Sequence, residues 1–594
     1  MPSLRPLIFV FVSFALLAPS VSLTAAPPNI VVVMPDDMGY GDTGATGNPV
    51  IRTPNLDRLA KESAALTRFY VTPVCSTTRA GLMTGRYHHR TRCIDTFKGR
   101  SMMEPEEVTV AEALSAAGYA TGIFGKWHLG DNYPMRPQDQ GFDEVLVHRG
   151  GGLAQPSEPI ANDRRYTDPI LFHNGEQVKR EGYCTDIYFD AAFDFMKRSQ
   201  EEDKPFFVYL PPNAPHGPYH DVPEDLLDHY NSIDLGPVLL GNESEKHRDT
   251  VARVFAMVEN IDQNMGRLDA FLAENGLTND TLVIFLVDNG PNTMRYVGPF
   301  RGMKSHVHEG GIRSMFWARW PGRLKAGTES DRLAGYTDIL PTLLDAAGAW
   351  PDGEAPEGTL PEGQALDGVS LLSQLEGKAD AAASSNRTLV IQGHRGNRPV
   401  PFHHVAVLEQ EWKLVRPTGF GAEVDPDPKP FELYRIEEDP GESRDLADEH
   451  PDRVAAMKEA YETWLADVSS TRENNFAPPR IVIGHEAEPV TDLSIQDWRV
   501  PDNVRGWGEG GTWKVSFADG GPYEIAVRWA EPVGKREIAL HVGDRVHEGM
   551  LADGATEVVF SEVAVKEGDS QVSVDVEGEI DRDSVLRFVT FRKP

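Results

Sequence analysis

Short runs of β-branched and other apolar residues recur along the chain, and each ends in a cluster of polar residues. The runs have the pattern of strands buried on both faces of a sheet. They cover Asn29–Met34, Tyr119–Phe124, Pro205–Leu210 and Thr281–Val287. Stretches with helical periodicity lie before, between and after them, at about 53–65, 109–117 and 245–274. Strands that alternate with helices predict an α/β fold with a large mixed, mostly parallel sheet flanked by helices.

The polar residues at the ends of these runs are suited to catalysis and ion binding. In chain order they are Asp36 and Asp37, Lys126 and His128, His216, and Asp288 and Asn289. Ligands of parallel sheets bind beyond the carboxyl ends of the strands. We therefore expect these distant clusters to meet at one site.

Two smaller units are expected after the first 350 residues. Residues 351–363 are rich in Pro, Gly and Glu and predict a loop. It follows an α/β domain at 27–350 and opens a smaller α+β subdomain at 351–470, with short strands and a helix at about 452–468. Short alternating strands then predict a β-sandwich-like module at 480–594.

Composition narrows the classes of function. The chain has 91 acidic and 58 basic residues in 594, a formal net charge of −33. General binding to nucleic acid is therefore not expected, and a bound anion would need a few locally placed cations. With 40% hydrophobic and 25% charged residues, the composition is that of an ordinary globular protein.

The amino terminus has the pattern of an export signal. Arg5 precedes an apolar run, Leu7–Leu17, and small residues at Thr24–Ala26 offer a cleavage site. The run is too short for a permanent membrane anchor. We expect residues 1–26 to be removed and the protein to be periplasmic or extracellular, without stable insertion in a membrane.

Cysteine use is sparse for an exported chain. Cys75, Cys93 and Cys184 are too few for a disulfide framework, and their odd number leaves at least one unpaired or chemically special. Pairing of Cys93 with Cys184 stays open, because the sequence does not give their separation.

The segment from Cys75 through Arg79 to Leu82-Met-Thr-Gly85-Arg86 resembles the signature of type I sulfatases, which belong to the alkaline phosphatase superfamily. Further motifs follow in the family's order. They are Asp36-Asp37, Gly125–Gly130, Pro215–Pro218, Asp288–Gly290, Lys304 before Glu309–Arg313, Glu432–Tyr434 and Glu438–Gly441. The resemblance covers about residues 27–468 and implies an alkaline-phosphatase-like fold.

In that family the cysteine is oxidised to formylglycine, an aldehyde that hydrates to a diol. The resemblance implies this change at Cys75 and a formylglycine-generating maturation enzyme as a partner. The family pattern has Pro two residues after the cysteine, where this chain has Thr77. Whether Thr77 affects maturation is open.

The residues around Cys75 favour a hard metal ion. Asp36, Asp37, Asp288 and Asn289 offer oxygen donors, and the modified Cys75 would add another. Oxygen donors suit one Ca²⁺, with Mg²⁺ as the other option, whereas an unmodified thiolate is too soft for either.

The resemblance also implies roles for the remaining polar residues. Arg79 would hold the modified cysteine, and Lys126, Lys304 and His216 would bind sulfate. One diol hydroxyl would attack the sulfur while His216 protonates the leaving alcohol. His128 would then take the proton of the second hydroxyl, which expels sulfate from the covalent intermediate.

We expect a sulfuric ester hydrolase that acts on a sulfated polysaccharide or oligosaccharide. Two other functions remain open: a phosphatase or phosphodiesterase of the same superfamily, and a non-catalytic carbohydrate-binding relative. The sulfated sugar, the ring position, exo or endo action, the role of the last module and the oligomeric state are not fixed by the sequence.

Overall fold

The computed structural model describes residues 27–594 with gaps at 351–353, 358, 362–363, 379–386, 421–428, 503–506, 508–509 and 579–585. The expected signal at 1–26 lies outside the described residues, as does part of the loop expected at 351–363. Within the described ranges, none of the helices combines the length and the apolar character needed to span a bilayer.

The first 350 residues alternate strands and helices. The strands are β1 Asn29–Val33, β2 Ala64–Leu66, β3 Phe69–Tyr70, β4 Ala120–Lys126, β5 Glu144–His148, β6 Ile170–His173, β7 Glu176–Lys179, β8 Phe206–Leu210, β9 Thr281–Leu286, β10 Arg313–Ser314, β11 Phe316–Arg319, β12 Glu329–Ser330 and β13 Ala334–Gly335. The helices are α1 Pro54–Glu62, α2 Cys75–Thr84, α3 Val110–Ala116, α4 Cys184–Glu201, α5 Glu224–Ser232, α6 Glu245–Glu274, α7 Glu309–Ile312 and α8 Ile339–Ala346. The helix expected at 53–65 ends early, because the chain turns into β2.

The large sheet is mixed, with a parallel centre. Its order is β12-β2-β11-β9-β1-β8-β4-β5-β6-β7. The pairs from β9 through β1, β8 and β4 to β5 are parallel. Strand β11 pairs antiparallel with β9, and β6 and β7 extend the other side antiparallel. The predicted α/β architecture is confirmed.

Each central strand contributes side chains to two hydrophobic cores, one on each face of the sheet. In β1, Ile30 and Val32 pack with helices α2, α3 and α8. Val31 and Val33 pack on the opposite face, with α4, α5 and α6. The alternation follows from the two-residue period of a strand, and burial on both faces explains why β1 reads as an uninterrupted apolar run.

A smaller antiparallel sheet follows, in the order β14-β15-β16-β17. Its strands are β14 Leu389–Gln392, β15 Val405–Leu408, β16 Trp412–Arg416 and β17 Glu432–Arg435. A short helix, α9 Leu372–Leu375, precedes it, and α10 Pro451–Ser469 packs on one face through Met457 and Tyr461.

The end of the chain forms two further sheets, which we call the C-terminal sheets. Their strands are β18 Ile481–Ile483, β19 Val490–Ser494, β20 Thr512–Phe517, β21 Gly521–Trp529, β22 Arg536–Val542, β23 Arg545–Leu551, β24 Glu557–Val565, β25 Gly568–Val576 and β26 Leu586–Arg592. The sheet orders are β18-β20-β25-β22-β23 and β19-β26-β21-β24. Side chains of both sheets share one core, which also includes Met102 and Met135 of the preceding domain.

All three cysteines are buried free thiols. Cys93 belongs to the core on one face of the large sheet and Cys184 to the core on the other. The sheet therefore separates the two residues whose pairing the sequence left open.

Candidate active site

The polar clusters converge because the strands that carry them are neighbours. Strands β9, β1, β8 and β4 lie side by side and parallel, so their carboxyl ends share one edge of the sheet. The polar residues at these ends or just after them lie within a few ångströms of one another. They are Asp36, Asp37, Lys126, His128, His216, Asp288 and Asn289. Asp37 and Asp288 are far apart in the sequence but close in space, because the strands that precede them, β1 and β9, are neighbours.

Cys75 enters this site at the start of helix α2. Val74 before it is extended, and Cys75 is the first helical residue. Cys75 is almost fully buried, and ligand atoms of Asp36, Cys75 and Asp288 all lie within 4.8 Å of one another. A helix start directs unpaired N–H groups toward the site, which favours an anion there.

Three buried oxygen atoms at the site receive no hydrogen bond from any residue that the structure describes. They are Asp36 Oδ1, Asp37 Oδ2 and Asn289 Oδ1. Buried polar atoms are normally paired, and three unpaired acceptors beside Asp288 are the arrangement that a hard cation satisfies. The residues present therefore fit a divalent metal, with these oxygens, Asp288 and the side chain at Cys75 as its holders.

Three cations balance the carboxylates. Lys126 Nζ lies 2.6 Å from Asp36 Oδ2, and both side chains are fully buried. Lys304 Nζ pairs with Asp37 Oδ1. Arg79 donates to Asp288 Oδ2 at 2.7 Å, a pair that is also fully buried. The two lysines are the groups expected to bind sulfate, and each forms an ion pair with a carboxylate of the candidate metal site.

Proton affinities differ among the carboxyl groups. Burial favours the neutral acid at Asp37, but Lys304, His216 and Lys126 outweigh it and hold the pKa well below its usual range. Burial raises the pKa of Asp288 to about 7, and the nearby Asp36 carboxylate adds to the rise against the pull of Arg79. A bound cation would favour the ionised form of both groups.

The hydrogen bonds of Arg79 go to residues other than Cys75, which it was expected to hold. It donates to the Lys126 carbonyl at 3.0 Å and to Asp288, with Tyr209 Oη at 3.4 Å. Its recorded hydrogen bonds thus fix Asp288 and the end of β4. Any hold on the side chain of Cys75 remains a prediction.

His128 faces Cys75 through one ring nitrogen. Its Nδ1 lies 3.4 Å from Cys75 Sγ, and its Nε2 lies 2.7 Å from the Thr96 carbonyl oxygen. A carbonyl only accepts, so Nε2 carries the proton and Nδ1 the lone pair. Burial, together with Lys126, keeps the pKa of His128 well below its ordinary value.

His216 lies on the more open side. Its Nδ1 donates to the Gly217 carbonyl at 2.7 Å, and its Nε2 lies 3.6 Å from Asp37 Oδ2. Its side chain is 17% exposed. Burial lowers the pKa of His216 to about 3 against the opposing effect of Asp37, so the ring is neutral at pH 7 until further negative charge arrives.

Two threonines after Cys75 form hydrogen bonds at the site, although the sequence marked only Thr77, as a departure from a family pattern. Thr77 Oγ1 donates to the Val74 carbonyl at 2.9 Å. Thr78 Oγ1 donates to the Asp288 backbone carbonyl at 2.7 Å. They fasten the start of α2 to the turn before it and to the end of β9. Their polarity inside a buried helix was the available signal.

A cavity of about 800 Å³ lies next to the residues on either side of Lys304. Met303 and Ser305, the neighbours of Lys304, line it, and so do Phe300, Arg301 and His306. Aromatic faces and cationic groups are the surfaces that a charged sugar would contact.

The chain is similar to known sulfatases. The family profile described as Sulfatase matches residues 28–349. The chain is 33% identical over 380 residues to N-acetylgalactosamine-6-sulfatase of Canis lupus familiaris, covering 59% of this chain and 66% of that protein. It is 34% identical over 353 residues to arylsulfatase A of Homo sapiens, covering 55% and 65%. It therefore spans about two thirds of the length of these relatives.

Among solved structures, Ps i-CgsB in complex with k-i-k-neocarrahexaose has a TM-score of 0.62 at 27% identity, over 76% of this chain and 94% of that one. The family profile alone covers more than half of the 594 residues. With Cys75 at a helix start among the clustered acids, the chain belongs to the sulfatase family.

Proposed function

We propose that the protein hydrolyses sulfate esters, with formylglycine made from Cys75 and one divalent metal. The observation that carries the proposal is the buried cluster at Cys75. It combines unpaired oxygen acceptors for one cation with two lysines able to meet an anion.

The metal would be held by Asp36, Asp37, Asp288, Asn289 and the oxygen that replaces Cys75 Sγ. When bound, a divalent cation there polarises a sulfate oxygen and stabilises charge that develops in the transition state. Ca²⁺ is favoured over Mg²⁺ because the donors are carboxylates and an amide in a buried cage, and Mg²⁺ usually keeps several waters.

The chain's own groups would bind the sulfate and move the protons. Lys126 and Lys304 would attract sulfate oxygens as point charges. The sulfate's negative charge beside His216, added to that of Asp37, favours a protonated imidazole, which could then donate from Nε2 to the leaving alcohol. The free Nδ1 of His128 is oriented to accept a proton from the modified Cys75.

We assign a sulfated glycan as the substrate. The cavity beside Lys304 has room for sugar units next to the sulfated one. Arg301, 48% exposed and 3.9 Å from Glu432 Oε2, offers a cation to their negative charges. The relatives named for N-acetylgalactosamine-6-sulfate and the structure with a bound neocarrahexaose support this class.

Two measurements separate this function from its alternatives. Mass spectrometry of the peptide that contains Cys75 should show an aldehyde in place of the thiol when the chain is produced with a formylglycine-generating enzyme. Matched sulfate and phosphate monoesters of one sugar should then give faster sulfate release. Aldehyde with preferred phosphate release supports a phosphatase, and an unmodified thiol without turnover supports a non-catalytic protein.

The cavity has its own test. Arg301→Ala should raise KM for a sulfated oligosaccharide and leave KM for a small aryl sulfate unchanged, because only the larger substrate reaches the cavity. Arg323→Ala, which removes an exposed arginine paired with Glu376, is the matched control. Equal KM changes on both substrates would refute the placement of the glycan.

Export to the periplasm or beyond, with the signal at 1–26, remains part of this proposal.

A further inference from the structure

The loop formed by Asp95–Arg100, here the 95–100 loop, joins the C-terminal sheets to the active site. On one side, Ser76 Oγ, next to Cys75, donates to the Asp95 carbonyl at 2.8 Å. On the other side, the Gly99 N–H donates to the Gln496 carbonyl at 2.9 Å. Gln496 follows strand β19, so the loop touches both the helix that carries Cys75 and the C-terminal sheets.

The side chain of Gln496 reaches the same carbonyl that orients His128. Gln496 Nε2 donates to the Thr96 oxygen at 2.9 Å, and His128 Nε2 donates to it at 2.7 Å. A carbonyl oxygen has two lone pairs, and both are used here. The amide therefore fixes the acceptor that sets which nitrogen of His128 carries the proton.

The contact between Gln496 and the 95–100 loop is buried and closely packed, which leaves both segments little room to move. Gln496 is 1% exposed, and its backbone N–H donates to Ser494 Oγ at 3.1 Å. Gly99 has φ +65°, and a Cβ there would lie 2.6 Å from the Asp497 carbonyl oxygen. Phe97 in the loop meets Trp507 edge to face, with ring centroids 5.2 Å apart.

We propose that Gln496 is a positioning residue for His128, and that the C-terminal sheets thereby form part of the catalytic apparatus. The inference rests on the proposed sulfatase function. Without the amide donor, the Thr96 carbonyl loses one of its two partners and the 95–100 loop can shift. The His128 ring then loses its fixed orientation, and Nδ1 no longer faces the side chain at position 75.

Gln496→Met tests this in the full-length, matured protein, because Met has similar length and donates no hydrogen bond. We expect kcat on an aryl sulfate to fall about 10-fold to 100-fold, as small misplacements of catalytic groups do, with KM nearly unchanged. Formylglycine content, measured by mass spectrometry, normalises the rates. Arg587→Met is the control, since Arg587 ties the same sheets to the Pro156 and Glu158 carbonyls at 2.9 Å.

Arg587→Met should lower the thermal midpoint and preserve kcat. A loss of kcat equal to that of Gln496→Met would overturn the inference, because any loosening of the sheets would then suffice. Unchanged kcat in Gln496→Met would overturn it as well.

The double variant with His128→Ala separates positioning from general damage. If Gln496 acts through His128, adding Gln496→Met to His128→Ala should cause no further loss of kcat. An equal fold-loss in both backgrounds would refute the inference and leave the proposed function intact. A native chain that hydrolyses no sulfate ester would instead refute the proposed function, and the inference with it.

Discussion

Lys126 Nζ and Asp36 Oδ2 lie 2.6 Å apart in a pair with no solvent exposure on either side chain. Lys126 can therefore bind sulfate next to the candidate metal site without being a metal ligand itself. Lys126→Met should therefore lower kcat/KM by about 10²-fold to 10³-fold, the usual cost of removing one electrostatic stabiliser. Metal content, measured by atomic emission, should stay at the native level.

Lys413→Met is the matched control, because Lys413 is equally buried between Glu309 and Glu442 outside the site. We expect it to lower the thermal midpoint, with kcat/KM of the folded fraction kept. Metal loss from Lys126→Met would place the lysine among the determinants of the cation site and contradict the assignment.

Removal of the negative charge of Asp37 should weaken metal binding. Asp37→Asn deletes the charge of Asp37, whose Oδ2 accepts no hydrogen bond from the described residues, and we expect at least a 10-fold weaker Kd for Ca²⁺ by calorimetry. Asp42→Asn is the control, since the fully buried Asp42 pairs with Arg295 instead. Equal metal affinity in Asp37→Asn and the native chain would count against the proposed ligand set.

The two active-site histidines should respond differently to the leaving group. If His216 protonates the departing alcohol, His216→Gln should reduce turnover of a sugar sulfate far more than turnover of a nitrophenyl sulfate, whose anion leaves without a proton. His128→Gln should reduce both by similar factors, because its step follows departure of the alcohol. Parallel losses for His216→Gln would exclude it as the acid.

Buried neutral histidines should make the fold sensitive to mild acid. Burial lowers the pKa of His88 to about 4 and that of His394 to about 3. The unfolded chain takes up protons below its ordinary histidine pKa of about 6.5, while the folded chain does not. The contribution of these histidines to the free energy of unfolding is therefore complete above pH 6.5 and falls as pH drops toward 4, by about 1.4 kcal/mol per proton and pH unit.

Thermal midpoints between pH 7.5 and pH 5 cover this range. The buried carboxyl groups of Asp288 and Glu442, whose pKa burial raises to about 7, act in the opposite direction there. The histidine contribution is therefore read from the difference between the native chain and a histidine variant. His394→Gln should flatten the decline, because it removes one such proton. His220→Gln, at an exposed position, should leave it as in the native chain. A decline with falling pH that is as steep in His394→Gln as in the native chain would show that His394 does not contribute to the acid sensitivity.

The sequence predicted the large sheet and the convergence of its strand ends, because doubly buried strands leave uninterrupted apolar runs and parallel strands share an edge. β1 and β9 with their acids are the clearest case. The ends of the helices were predicted less accurately than the helices themselves. Helix α1 ends at Glu62, three residues before the expected end, because the helical pattern of apolar residues does not show where β2 begins.

Contacts between distant segments were beyond sequence reasoning. The bond from Gln496 to Thr96 spans 400 residues and joins two parts of the chain without a shared pattern. The pairing of Arg79 with Asp288 was missed for the same reason, as it depends on how α2 packs against β9. Whether Cys93 and Cys184 lie close enough to pair could be decided only from the structure, which places them on opposite faces of the large sheet.

Sulfate release from a sulfated oligosaccharide, followed by ion chromatography, tests the central claim most directly. The native chain matured by a formylglycine-generating enzyme should release sulfate continuously, and Cys75→Ala under the same conditions should release none. Equal release by Cys75→Ala, or none by the matured native chain on any sulfated glycan, would contradict the account.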